Sequence, residues 1–508
     1  MRSKKAIINS IAGIGYEIVA IVCGLILPRL MLSFFGSKYN GITSSITQFL
    51  SCIALMKAGI GGVSRAALYK ALANKDDTKV SEIVKATQLF MNKVALAFLG
   101  FVVVFSFLYS MLLSDEFEPL FSASLILVIS ISTFGEYYFG FTYEVLLSAN
   151  QKQYVFSVIR IITTIVNTFV ATVLIYSGLG IRAVKLGSSL VFLLNPIIIR
   201  IYARRKYNID DNVEPDKDLL AQRWDAVGHE VANFVNTNTD IMVLTIFSDV
   251  LFVSVYTVYN TVIVGIKKVI KTFINGFGAA FGEMYARNEI QLMEENFRIY
   301  ELIVFSMVSV VFSITAVMFV PYAKLYTSGV TDVEYAQPLF ALIITLAGAF
   351  GCIRTPYQDI VTVAGHFKQT RNGSFVEAMI NICISIVTVI KFGLVGVAIG
   401  TLVANLFRTV QYAIYMSKNV LVRRLSLFVK HTVIFTVILL LTNLLMYRIV
   451  DLNCGTVIEW IINAAATGFI SLTLTIMTDC IFYKQDTLKL IDKIKYVLLI
   501  KNTNKKMR

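Results

Sequence analysis

The segment VGIKKVIKTFING places Lys267, Lys268 and Lys271 in one of the most apolar regions of the chain. On a helix Lys267 and Lys271 lie one turn apart on a single face, with Lys268 beside them. Like charges at that spacing repel, and a low dielectric strengthens the repulsion unless an anion or a carboxylate compensates it. Lys57 and Arg65, eight residues apart, also share one helix face. A charge at the centre of a membrane helix costs about 2.5–3.5 kcal/mol, so a chain that keeps many of them faces them into a polar cavity. Cations arranged this way suit a strongly anionic ligand, for which a phosphate or pyrophosphate is the natural fit. The plainer alternative is that Arg65, Arg160, Arg408 and Lys271, near helix ends, reach out to the interface.

Carboxylates occur at the same depths. Glu17, Glu136 and Glu144 are candidates for ion-pair partners of the cations or for cavity contacts, and Arg354 and Asp359 are further charges within an apolar stretch. Asp240 in VNTNTDIMVL, Glu377 and Asn381 one turn apart, and Thr401 together offer a carboxylate, an amide and a hydroxyl. These could ligate Na⁺ or hold a proton, although Asn and Thr in membrane helices also bond simply to neighbouring helices.

The elements that must position these groups follow from composition. Of 508 residues, 56% are hydrophobic and only 15% charged, and mean hydropathy is +0.72. Soluble domains carry about 25% charged residues. Apolar runs long enough to span a bilayer recur along the whole chain, which predicts an all-α integral membrane protein without a large soluble domain. Reading runs between polar breaks gives about fourteen spans, at 7–32, 41–70, 86–112, 119–148, 153–176, 181–202, 224–248, 251–282, 298–320, 335–364, 372–391, 394–416, 426–449 and 456–482. The first is expected to be a retained helix, being too long for a signal-peptide core.

The net charge of +14 resides largely in loops on one side, including MRSKK, RRKYNIDDNVEPDKDLLAQR and the basic tail. The positive-inside rule then places both termini in the cytoplasm, and nucleic acid is not needed to explain the basicity. Six cysteines show no CxxC and no cluster with histidine, so neither a disulfide framework nor a metal site is expected.

The chain repeats itself at an offset of about 213 residues. SGLGIRAVKLGSSLV aligns with KFGLVGVAIGTLVAN, ANQKQ with GHFKQ, and GIGGVSRAAL with NGFGAAFGEM. Spans 1–6 therefore match spans 7–12. The expected organisation is an N-lobe at 1–203, a cytoplasmic linker at 204–223, a C-lobe at 224–418, and two further helices with a basic tail at 419–508. Because each repeat has an even number of spans, the two six-helix lobes run parallel, and a central cleft between them is transporter architecture.

This 6+6+2 pattern, the stretch INSIAGIGYEIVAIVCGLILPRLMLSFFGSKYNGI and the passage NTNTDIMVLTIFSDVLFVSVYTVYNTV resemble the bacterial polysaccharide flippases of the Wzx type. These are similar to lipid II flippases and, more distantly, to MATE-type exporters. The resemblance implies flipping of an undecaprenyl-pyrophosphate-linked oligosaccharide from the inner to the outer leaflet of the cytoplasmic membrane. Alternating access would be coupled to Na⁺ or H⁺, in a monomer working beside polysaccharide polymerase machinery. By helix and depth it assigns the pyrophosphate to Arg29, Lys57, Arg65, Lys267, Lys268 and Lys271, and it raises interest in Asp240 as an ion ligand.

A MATE-like exporter of cationic drugs would want an acidic cavity, against the predominance of cations here. A membrane glycan polymerase or ligase would need a large external loop with catalytic groups. The external loops are short and His229, His366 and His431 lie near expected cytoplasmic ends, so no enzymatic activity and no cofactor are expected.

Overall fold

In a bilayer every backbone polar group must be bonded internally, and for a chain this apolar the helix is the local solution. The computed structural model describes residues 2–57, 60–216, 224–449, 452–493 and 495, and all of its regular structure among these is helical. Twelve helical spans among the described residues, two of them interrupted, are long and apolar enough to cross a membrane. The protein is an all-α, multi-pass membrane protein.

The first part of the chain comprises α1 (Arg2–Phe35), α2 (Ser37–Leu50), α3 (Ala54–Lys57), α4 (Ile60–Ala73) and α5 (Asp77–Leu112). It continues with α6 (Pro119–Gly135), α7 (Phe141–Ala149), α8 (Gln153–Tyr176) and α9 (Ile181–Lys206). There follow α10 (Trp224–Phe247), α11 (Val250–Ile274), α12 (Phe277–Ala286), α13 (Ile290–Tyr326), α14 (Pro338–Ile353) and α15 (Thr355–Val363). The last are α16 (Phe367–Phe392), α17 (Leu394–Asn419), α18 (Ser426–Ile449) and α19 (Val457–Phe482). The sequence repeat is visible in these bounds: α5 recurs as α13, α8 as α16 and α9 as α17, each displaced by about the same number of residues.

The repeat also extends to the interruptions. The span expected at 41–70 is broken into α2, a 3₁₀ turn at Ser51–Ile53, α3 and α4, and its counterpart at 251–282 is broken into α11 and α12. The span expected at 119–148 is interrupted by a π turn, Glu136–Gly140, between α6 and α7. Its counterpart at 335–364 breaks at Arg354 between α14 and α15, one residue ahead of the Thr355–Pro356 step. At the π turn a Cβ on Gly140 would collide with Pro196 of α9, so only glycine lets the two backbones approach there.

The chain groups into two compact units. The first runs to Val255 and includes Gly329–Val333; the second holds Tyr256–Ser328 and the chain from Glu334 onward. In the first, α10 packs on α2 through polar side chains: Ser45 and Thr245 hydroxyls lie 2.7 Å apart and Gln48 bonds Asn238, while Asn40 of α2 donates to Ser254 at the start of α11 at 2.8 Å. The N-terminus of α2 is capped from a distance by Asp332, whose carboxylate accepts from the Ser37 amide at 2.6 Å and its hydroxyl at 2.5 Å. That satisfies a backbone donor no intrahelical carbonyl can reach.

In the second unit α16 and α17 form a tight hairpin. Gly396 and Gly400, spaced as GxxxG, lie against Thr388 and Ser385, where any Cβ would clash. Small residues at such a crossing are what membrane helices require, because lipid supplies no hydrophobic drive between helices and close packing must hold them. Conversely, Ile7, Ile11, Ile14, Ile18 and Val22 form an exposed apolar stripe along one face of α1, a surface suited to lipid.

Candidate functional site

In the first unit the broken elements bring opposite charges together. Lys57 ends α3, and its ammonium donates to Glu136 at 2.7 Å while lying 4.9 Å from the Tyr137 ring centre. The π turn aims Glu136 at it. Gln88 of α5 donates to the Tyr138 carbonyl in that turn at 2.7 Å, so the altered helix ladder keeps its acceptor satisfied. Two turns along, Glu144 of α7 accepts from Arg160 of α8 through both oxygens, each at 2.9 Å. Lys57, Arg160, Glu136 and Glu144 thus form a charge-balanced set.

The second unit arranges its charges differently. Lys267 of α11 is half-buried and lies against Gly351 of α14, where a Cβ would sit 3.4 Å from the ammonium. Both Lys267 and Arg354 act electrostatically on Cys352. Arg354, at the α14–α15 break, donates to Glu377 of α16 at 2.7 Å, and the other oxygen of Glu377 lies 3.4 Å from Arg408 of α17. Arg408 is buried and fully engaged, with Thr370 carbonyl, Ser374, Gln411 and the Tyr412 hydroxyl all within hydrogen-bond distance. Its guanidinium also lies 4.1 Å from the Tyr412 ring centre. Lys271 is exposed and acts on Asp359 of α15, which accepts from the Tyr300 hydroxyl at 2.7 Å. Lys267 and Lys271 therefore both address α14 and α15, as their shared helix face requires.

The remaining expected residues are more scattered. Arg29 and Glu17 are half-buried on α1; Arg65 on α4 and Lys268 on α11 are exposed. Asp240 is buried on α10 in the first unit, amid the Asn and Thr bonds to α2, whereas Glu377, Asn381 and Thr401 belong to the second. Asn381 accepts from Ser385 at 3.1 Å. The charge of Glu377 is met by two guanidiniums.

Two features escaped sequence reasoning. Arg354 and Arg408 stand out as charges in apolar runs, but nothing local links them to Glu377. Glu301 of α13 is completely buried and takes Arg423 at 2.7 Å and the Tyr357 hydroxyl at 2.5 Å, with His431 at 3.6 Å. Its sequence, RIYELIV, reads as an ordinary helix start, and Arg423 as a loop residue.

No family model matches the chain, and no curated protein matches it in sequence. Its fold matches solved structures. A lipid II flippase, MurJ, in an inward closed conformation has a TM-score of 0.72 at 15% identity, over 94% of this chain and 99% of that one. An inward-facing multidrug resistance MATE transporter of the MOP superfamily has a TM-score of 0.58 at 12% identity, over 80% and 98%. A MOP superfamily transporter from Pyrococcus furiosus, described as having a binding pocket of reverse polarity, has a TM-score of 0.56 at 12% identity, over 82% and 96%. The chain shares the fold of these transporters and flippases.

Proposed function

We propose that this protein is a secondary transporter of the Wzx kind, flipping an undecaprenyl-pyrophosphate-linked oligosaccharide from the inner to the outer leaflet of the cytoplasmic membrane by alternating access. The observation that carries the reading is the set of cations on membrane-embedded helices, above all Lys267 beside Gly351, which with Arg354 acts on Cys352, in a fold shared with a lipid II flippase. Coulomb attraction to a pyrophosphate in a low dielectric offsets the desolvation that makes such cations costly. In this reading Arg29, Lys57, Arg65, Lys267, Lys268 and Lys271 hold the pyrophosphate at successive stages. Glu136 keeps Lys57 neutralised when no substrate is present. Asp240 is the first choice for the coupling Na⁺ or H⁺, since Glu377 already answers two arginines. The protein works as a monomer beside a glycan polymerase, with both termini cytoplasmic.

The test is flipping of a fluorescent undecaprenyl-pyrophosphate oligosaccharide in proteoliposomes under Na⁺ and H⁺ gradients. The expected result is transport by the wild type, reduced at least tenfold in Lys267→Ala. Absence of flipping by the wild type under either gradient, with export of a small cationic compound instead, would favour the MATE-like alternative.

A further inference from the structure

The repeat makes the interrupted span α6–α7 comparable with α14–α15, and the charges carried at the two interruptions differ in sign. In the first unit the break in the helix carries an acid, Glu136, which neutralises Lys57. In the second the corresponding break carries a base, Arg354, whose partner comes from another helix, Glu377 of α16. Glu377 does not depend on Arg354 alone, because Arg408 also faces it at 3.4 Å and is itself fixed by four other groups.

Arg354 is held more loosely than Arg408. Arg408 is 3% exposed, but Arg354 is 24% exposed. One nitrogen of Arg354 bonds Glu377, while its Nε is buried without a hydrogen-bond partner. A guanidinium presents five donors in a rigid fork suited to phosphate, and a buried donor left unmade is costly. Lys267 approaches the same backbone turn from α11, beside Gly351 and Cys352. Two cations thus converge on the α14–α15 break, one of them with an unused donor.

We infer that Arg354 is a further substrate-phosphate ligand, and that Glu377 is the group that holds its guanidinium until the phosphate displaces the carboxylate. This rests on the flippase reading above and adds a residue and an exchange to it. When the phosphate binds, Arg354 turns from Glu377 to the phosphate oxygens, and Glu377 remains neutralised by Arg408. No carboxylate is stranded in the membrane, so the exchange avoids the penalty that breaking an isolated buried pair would incur.

The inference separates the effects of two variants that an ordinary structural ion pair would make alike. Binding of undecaprenyl pyrophosphate, and of inorganic pyrophosphate as a headgroup-only probe, is measured on the full chain in lipid nanodiscs, with thermal unfolding followed in parallel. Arg354→Gln should weaken binding of both probes at least tenfold. Glu377→Gln should tighten it severalfold, because the competing carboxylate is gone. The double variant should bind no better than Arg354→Gln. Arg354→Lys, which keeps the charge and loses the fork, should fall between wild type and Arg354→Gln and serves as the test if the glutamine variant unfolds. Wild-type affinity in Arg354→Gln, or in Arg354→Lys if that variant alone folds, overturns the inference, as does weakening by Glu377→Gln rescued in the double variant. If the wild type itself binds neither probe, the flippase reading fails and the exchange fails with it.

Discussion

At the scale of single residues, the ion pairs separate groups that hold the protein together from groups available to a ligand. Glu301 and Arg423 are both almost wholly buried and meet at 2.7 Å. Removing one partner of such a pair strands a charge, at a cost of about 3–5 kcal/mol. Arg423→Ala is therefore expected to lower the unfolding temperature in detergent markedly. Replacing both residues together, as Glu301→Gln with Arg423→Met, should recover part of the loss, and thermal unfolding checks both. Lys57 is different, being a quarter exposed and shared between Glu136 and an aromatic ring. Lys57→Ala should reduce transport with little change in unfolding temperature, and adding Glu136→Gln should not restore transport. Full rescue by the double variant, read in the same proteoliposome assay, would make Lys57 a mere counter-charge.

At the scale of elements, the informative places are the breaks and the close crossings. Gly400 of α17 leaves no room for a side chain against Ser385, so Gly400→Leu must push α16 and α17 apart. A core overpacked in this way loses typically about 1–3 kcal/mol, and the variant should unfold earlier and give a lower yield of monodisperse protein on size exclusion. The cap that Asp332 places on α2 is worth about 1 kcal/mol by analogy with other N-caps. Asp332→Ala should lower stability by that order, measurable as a small drop in melting temperature. Breaks at Glu136–Gly140 and Arg354 put charged groups where a continuous helix would have pointed them elsewhere, which links local backbone chemistry to the pairings above.

At the scale of the whole molecule, the twelve apolar helices among the described residues make the chain multi-pass, and the proposed sidedness of its loops rests on their charge. Lys and Arg crowd the loops expected on the cytoplasmic side. A reporter enzyme active only outside the cytoplasmic membrane should be silent when fused to either terminus and active when inserted in the loop Leu113–Glu118. The opposite pattern would invert the proposed direction of flipping. That loop has its own titration. Burial, reinforced by repulsion from Asp249 and opposed by Lys38, holds the Glu116 carboxyl above the usual carboxylate range. A raised acid favours the folded state at low pH and loses that advantage as pH rises through its folded value. Glu116→Gln should therefore stabilise the protein slightly at pH 7 and leave it unchanged near pH 4, by thermal unfolding.

Much of this was legible along the chain, because hydropathy, helical period and the recurrence of similar segments are properties of neighbouring residues. Apolar length alone requires helices once water is absent, and SGLGIRAVKLGSSLV against KFGLVGVAIGTLVAN already displays the repeat that α9 and α17 embody. The same local view finds Lys267 and Lys271 on one face and Arg354 in an apolar run. It cannot find what those charges meet. Glu377 is joined to Arg354 and Arg408 across residues distant in sequence, and Glu301 to Arg423 likewise. A charge signals only that a partner must exist, and the partner is selected by the packing of helices that are chosen for their apolar faces. The expected helices at 119–148 and 335–364 break for a related reason: a π turn or a proline step costs little within a packed bundle whose neighbours satisfy the freed groups, a compensation that exists only once the tertiary structure has formed.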